Sequence, residues 1–189
     1  MGYETFLLIP RGSQPISMTT AFRAALWLVP DEPALQAVVD GLSAAHDAPR
    51  FSAHLTLLGE LKLPSAPVAC QALADLAAST TPIALPVSGM GESDDYFATV
   101  FVRCAETAEL AALREHAQRA LGAGTAPSIG PHVSLIYAHM PGSVRRAIAS
   151  AHAIAGALRF GAIALMQSGP HGWEQVEQWR EICRHALHA

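Results

Sequence analysis

Two short segments of the chain combine a histidine with a hydroxyl side chain in an order that suits acid/base chemistry. Residues 54–57 read His-Leu-Thr-Leu and residues 132–135 read His-Val-Ser-Leu. Because residues i and i+2 of a strand share a face, each histidine lies beside its hydroxyl and away from the apolar residues. A single such histidine is more often a hydrogen-bonded structural residue. Two of them in predicted strands, at corresponding places in two halves of the chain, favour a shared catalytic site.

Two imidazoles and two hydroxyls are the groups needed to open a cyclic phosphodiester. A base activates water, and an acid protonates the departing oxygen on the opposite side of phosphorus. Imidazole suits both tasks at neutral pH because its pKa lies near 6.5. The hydroxyls of Thr56 and Ser134 can donate to the non-bridging phosphate oxygens. This scheme requires no metal and no cofactor.

Strands and helices alternate along the sequence around these two segments. The apolar periodicity predicts helices over 32–46, 66–78, 107–121 and 142–155. It predicts strands over 23–30, 51–60, 82–90, 95–104, 131–138, 158–168 and 175–183. The hairpins at 82–104 and 158–183 require antiparallel pairing, so the predicted class is α+β with two sheet-containing halves. Each half contains one of the histidine strands, which indicates a coarse internal duplication.

The composition is that of one globular domain with a mildly acidic charge. The chain has 189 residues, of which 51% are hydrophobic and 15% charged, and its formal net charge is −4. This excludes a mostly disordered chain, and the apolar runs are too short to span a membrane. The 12 basic residues are arginines apart from Lys62, and they form no basic stripe of the kind that tracks a long nucleic acid.

The N-terminal residues indicate where the domain begins, and the cysteines indicate the expected cellular location. Residues 1–20 contain several turn-forming residues, and we expect a loose tail or an extension from an expression vector there, before a single domain over 21–189.

Three cysteines without a C-x-x-C spacing are typical of reduced intracellular thiols, so the expected location is the cytoplasm. A bridge between Cys70 and Cys183 stays open, since sequence spacing does not test its geometry.

The chain resembles the 2H phosphoesterases, a superfamily named for two H-x-T/S-x motifs, and within it the cyclic nucleotide phosphodiesterases. The resemblance extends in order over about residues 23–183, well beyond the two motifs. The segments that carry it are Leu26–Pro30, Ala48–Thr56, Tyr96–Val102, Pro131–Ala138 and Trp173–Glu174.

This resemblance implies a bilobal fold, with two antiparallel sheets and outer helices around a central cleft and a pseudo-twofold duplication. It implies metal-free hydrolysis of nucleoside 2′,3′-cyclic phosphates or ADP-ribose 1″,2″-cyclic phosphate to a phosphomonoester. His54 and His132 then take the acid and base roles, and Thr56 and Ser134 contact the phosphate. His132 is favoured as the water-activating base and His54 as the acid, but the residues leave open which histidine takes which role. Tyr137 takes an accessory position at the cleft. Because it lies three residues after Ser134, it would face the opposite side of the strand unless a bulge or the strand end turns it.

Several aromatic residues are candidates for substrate binding, each with packing as the alternative. Tyr96 and Phe97 are predicted to flank a base or ribose by stacking. Trp173 lies beside a glycine-rich loop and is predicted to close over the ligand. Trp27 belongs to a buried strand and is predicted to be a core residue.

Three functions remain as alternatives from the sequence. The first is hydrolysis of a small cyclic phosphate by a monomer that binds neither membrane nor long nucleic acid. The second is action on the 2′,3′-cyclic end of RNA, which the missing basic stripe disfavours. The third is a non-catalytic nucleotide-binding module, which the intact pairs of histidines and hydroxyls disfavour.

Overall fold

The computed structural model describes residues 21–170 and 172–188. The predicted tail over residues 1–20 lies outside the described residues. No helix in the described part is long and apolar enough to cross a membrane. The strands are β1 Phe22–Pro30, β2 Leu55–Leu63, β3 Ile83–Glu92, β4 Val100–Cys104, β5 His132–Ile136, β6 Ala157–Gln167 and β7 Arg180–Ala186; the helices are α1 Pro33–Ala45, α2 Ala66–Ala78, α3 Ala108–Leu121 and α4 Gly142–Ala151.

The seven strands form one antiparallel sheet, and this agrees with the predicted α+β class. Their order is β1-β2-β5-β4-β3-β6-β7, with a further pairing between β1 and β6. Residues 157–160 of β6 pair with β3, while residues 160–167 pair with β1. The strands β2 and β5 meet at the pair Leu55 and Val133. The expected division into two separate sheets is therefore not confirmed, because these two connections join the strands into one sheet.

The helices cover the apolar side of the two histidine strands. Buried leucines at helical spacing mark the packed faces, such as Leu110 and Leu113 of α3. The helix α1 contacts β5, and α3 contacts β2. The apolar residues of both motifs are fully buried beneath these helices; they are Leu55, Leu57, Val133 and Leu135. Burying this face fixes the register and turns the histidines and hydroxyls to the other side.

The segment 95–99, predicted as part of a strand, instead forms a turn with a short 3₁₀ helix over Tyr96–Ala98. The Asp95 carboxylate accepts a hydrogen bond from the Phe97 N–H at 2.8 Å. The Ser93 hydroxyl donates to the Ala98 carbonyl at 2.7 Å. Such local side-chain bonds compete with strand pairing, which explains why the aromatic residues here do not continue β4.

A disulfide joins Cys70 of α2 to Cys183 of β7, with a Cα–Cα distance of 6.0 Å. This spacing lies within the usual range for a disulfide. Cys104 is free and buried. The expectation that all three cysteines are reduced thiols is therefore wrong for two of them, and the cysteine argument for a cytoplasmic location no longer holds.

We expect loss of this disulfide to lower the free energy of unfolding by about 2–4 kcal/mol, because the bond closes a long loop in the unfolded chain. The two cysteines are 113 residues apart in sequence. The Cys70→Ala/Cys183→Ala variant and the wild type in dithiothreitol should unfold at the same lower urea concentration. The reductant should leave the double variant unchanged. Equal stability of oxidised and reduced wild type would contradict this role of the bond.

Candidate active site

The two histidine motifs lie side by side at the junction of β2 and β5. The antiparallel pair formed by Leu55 and Val133 sets the local register. In that register His54 is opposite Ser134 and His132 is opposite Thr56, and all four side chains share one face. Each imidazole therefore has a hydroxyl both on its own strand and on the neighbouring strand.

These four side chains line one cavity of about 290 Å³. Of the predicted accessory residues, Phe97, Tyr137 and Trp173 also line it. Further lining residues that the sequence did not indicate are Trp27, Glu60, Asp95, Trp179 and the loop residues Pro127, Ser128 and Ile129. The structure thus gathers two imidazoles and two hydroxyls in one cavity whose wall also contains five aromatic side chains, Trp27, Phe97, Tyr137, Trp173 and Trp179.

Both imidazoles are held in the same way by a backbone carbonyl two residues earlier. The distance from Nδ1 of His54 to the Ser52 carbonyl is 2.7 Å. The distance from Nδ1 of His132 to the Gly130 carbonyl is 2.9 Å. Gly130 has a φ of 81°, a conformation that favours glycine. Because a carbonyl only accepts, Nδ1 carries the proton in each neutral ring, and the lone pair lies on Nε2.

His54 is buried among aromatic rings and has a strongly shifted pKa. Its ring is stacked on Trp27, with centroids 3.5 Å apart and planes 7° from parallel. Only 6% of its surface is exposed. Burial lowers the pKa of His54 to about 3; the bond to Ser52 acts in the opposite direction, and the charge of His132 adds to the lowering. His54 is therefore a neutral imidazole at neutral pH.

His132 has a different environment, being partly exposed beside the ring of Phe101, with centroids 5.1 Å apart. Burial lowers the pKa of His132 as well. The bond to Gly130 and the negative charge of Asp95 oppose this lowering. Of the two histidines, His132 thus has a carboxylate whose charge favours the protonated ring.

The phosphate candidates Thr56 and Ser134 both lie in the cavity wall, and Ser134 is already hydrogen-bonded. Its hydroxyl donates to the Phe97 carbonyl at 2.6 Å. This bond ties the 3₁₀ turn to β5. To donate to a phosphate oxygen instead, the Ser134 hydroxyl must rotate away from this carbonyl.

Tyr137 lies beyond the last residue of β5, and this strand end allows it to reach the cavity despite its odd step from Ser134. Its ring is stacked on Phe51, with centroids 3.8 Å apart. Its hydroxyl is 3.4 Å from Nε2 of His54. Burial raises the pKa of Tyr137, so this hydroxyl stays protonated and donates to His54.

The aromatic candidates separate into cavity residues and packing residues. Tyr96 packs against Tyr137 and His139 and is not among the described residues that line the cavity. Trp173 lines the cavity, and its carbonyl accepts a hydrogen bond from the Trp179 indole at 2.8 Å. Trp27 is buried, as predicted, with 4% of its surface exposed, but it also forms the wall behind His54.

Trp179 lies in the strand predicted over 175–183 but was not singled out, because a tryptophan in a strand is equally compatible with packing. Within 21–170 and 172–188, no three histidine, cysteine or acidic side chains are grouped as a metal site requires.

Comparison with known proteins places this geometry in a family. The sequence profile of the 2′-5′ RNA ligase superfamily matches residues 29–172. No curated protein matches the chain by sequence.

Several solved structures share the fold. They include Escherichia coli LigT complexed with phosphate, at a TM-score of 0.53 and 17% identity over 90% of this chain and 99% of that one. Escherichia coli LigT complexed with 3′-AMP matches at 0.54 and 18%, over 89% and 99%. The protein TT0787 of Thermus thermophilus matches at 0.56 and 17%, over 87% and 97%. The paired histidine motifs, the sheet and the profile match together show that the chain belongs to the 2′-5′ RNA ligase superfamily, the 2H phosphoesterases.

Proposed function

We propose that the protein hydrolyses a small cyclic phosphodiester to a phosphomonoester. The substrate is a nucleoside 2′,3′-cyclic phosphate or ADP-ribose 1″,2″-cyclic phosphate. The observation that carries the proposal is the pair of imidazoles in one cavity, each fixed through Nδ1 so that its lone pair lies on Nε2. The Nε2 of His54 also accepts from the Tyr137 hydroxyl at 3.4 Å, and this long contact must give way when His54 takes a proton. Acid/base chemistry on a phosphodiester needs two such groups on opposite sides of phosphorus.

In the reaction, the unprotonated imidazole removes a proton from water as the water oxygen bonds to phosphorus. The bond from phosphorus to one ribose oxygen breaks in line with this attack. The second imidazole gives its proton to that departing oxygen, so the product is a phosphomonoester with a free hydroxyl. Proton transfer from the first imidazole to the second through solvent restores the enzyme.

We assign the base to His54 and the acid to His132, the reverse of the assignment made from the family resemblance. A base must be unprotonated, and burial keeps His54 neutral at neutral pH. An acid must carry a proton. Burial lowers the pKa of His132 too, but the Gly130 carbonyl and the Asp95 carboxylate oppose this lowering, whereas the charge of His132 adds to the lowering at His54. Tyr137 positions the His54 ring through its hydroxyl.

The remaining side chains bind the substrate in this scheme. Thr56 and Ser134 donate to the non-bridging phosphate oxygens and stabilise the charge that develops there. Phe97, Trp173 and Trp179 provide apolar surface for a base or ribose. The matched fold of Escherichia coli LigT complexed with 3′-AMP supports a nucleotide ligand for this site.

The test is turnover of 2′,3′-cyclic AMP by the purified protein in the presence of EDTA, with the products separated by chromatography. We expect one adenosine monophosphate, the 2′ or the 3′ isomer, to form at a rate that EDTA does not change. Binding of the cyclic nucleotide without turnover would instead support a non-catalytic nucleotide-binding module. Loss of turnover in EDTA would contradict the metal-free mechanism.

A further inference from the structure

The cavity wall carries negative charge in addition to its histidines and aromatic rings. Two carboxylates line it, those of Asp95 and Glu60. No lysine or arginine is among the described residues that line the cavity. A pocket for a compound with several phosphates usually offers arginine or lysine side chains to them. Here the site offers hydroxyls and imidazoles to one phosphate.

Two arginines are adjacent to residues of the site, Arg23 beside Glu60 and Arg103 beside His132. Arg23 forms an ion pair with Glu60, so a second phosphate would have to compete with a carboxylate for it. Arg103 is opposite His132 in the β4–β5 register. Its guanidinium lies 5.3 Å from the centroid of the Phe101 ring.

Asp95 is positioned by the turn that forms one side of the site. One oxygen of its carboxylate accepts from the Phe97 N–H, which fixes the side chain beside the cavity. The charge of Asp95 also acts on His132. A second anionic group on the substrate would therefore meet a fixed negative charge on the side of the cavity near His132, on an exposed carboxylate whose effect salt and water weaken.

Resting on the proposed function, we infer that the substrate carries its only negative charge on the cyclic phosphate and that Asp95 enforces this. The substrate class is then a nucleoside 2′,3′-cyclic phosphate with a free 5′-hydroxyl. ADP-ribose 1″,2″-cyclic phosphate has an additional diphosphate, and an RNA end has additional phosphodiesters. Both of these are disfavoured substrates.

The experiment compares kcat/KM for 2′,3′-cyclic AMP with that for the same compound carrying a 5′-phosphate. We expect kcat/KM for the 5′-phosphorylated compound to be several-fold lower, with a smaller ratio at high salt because salt screens the repulsion. Asp95→Asn keeps the oxygen that accepts from the Phe97 N–H and should reduce the ratio several-fold. Glu60→Gln removes the ion pair between Glu60 and Arg23, so Arg23 can bind the 5′-phosphate, and this variant should also reduce the ratio of the two kcat/KM values.

The matched control is Asp94→Asn, which removes an equal charge from the neighbouring exposed residue. It should leave the ratio unchanged. Equal kcat/KM for both compounds, or a ratio that Asp95→Asn and Asp94→Asn change alike, would overturn the inference while leaving the proposed function intact. Absence of turnover with both compounds would overturn the proposed function and the inference with it.

Discussion

Replacing either His54 or His132 by alanine is expected to lower kcat/KM for 2′,3′-cyclic AMP by about 10³-fold, within the ~10²–10⁴-fold that general acid or base catalysis contributes. Each variant removes one of the two proton-transfer groups while leaving Thr56 and Ser134 in the cavity. The double variant should be little worse than either single variant, since an acid and a base that act in one step are not additive. Steady-state kinetics of the three variants measure this.

The controls separate a catalytic loss from a folding defect. His54 is packed against Trp27, so its truncation leaves a gap; His54→Gln fills more of the space and should be equally inactive. Circular dichroism and thermal unfolding should show that these variants are folded. His116→Ala, at an exposed position of α3, should retain wild-type activity. A folded His132→Ala variant with a near-wild-type rate would show that the site is wrongly assigned.

The same variants distinguish the acid from the base. A nucleoside p-nitrophenyl phosphodiester releases p-nitrophenolate, which leaves without being protonated. Loss of the acid should therefore matter less for this compound than loss of the base. We expect His132→Ala to retain the larger fraction of its activity on it. The opposite order would restore the assignment based on the family resemblance.

The sequence predicted the polar centre of the site because strand periodicity is a local property. The alternation around His54 and His132 is readable from a few residues, and burial of Leu55 and Val133 on the other face is its direct consequence. The contact between the two motifs is not local, since the paired residues Leu55 and Val133 are 78 positions apart in sequence. The duplicated motif and the family resemblance suggested that the two strands meet, whereas periodicity did not.

The aromatic wall was less predictable for a physical reason. A tryptophan in an apolar strand is compatible both with packing in the core and with lining a cavity, and Trp27 does both. The strand predicted over 95–104 was shortened because Asp95 caps a turn that periodicity does not register. The pairing of Cys70 with Cys183 depends on how α2 packs on β7, which the sequence leaves open.

The pH profile of kcat/KM is expected to have an acidic optimum. The active enzyme has one histidine protonated and one neutral, so the profile reports the pKa values of both in the free protein. Burial lowers the pKa of His54 to about 3 and lowers that of His132 as well, below its ordinary 6.5. Above both pKa values the protonated fraction of His132 falls about tenfold per pH unit. Between pH 7 and pH 9 we therefore expect kcat/KM to fall about 100-fold.

The acid side of this profile is limited by stability. The pKa of His54 is lower in the folded than in the unfolded chain, so the unfolded chain binds more protons between about pH 6.5 and pH 3. Stability then rises with pH across that window and is lost as pH falls, which makes pH 5–9 the range for the assay. Asp95→Asn removes a charge that favours protonated His132 and should move the decline to lower pH, whereas Asp94→Asn should not. An optimum at pH 8 or above would contradict the lowered pKa values of the two buried histidines. It would also contradict the assignment of base and acid, which depends on those protonation states.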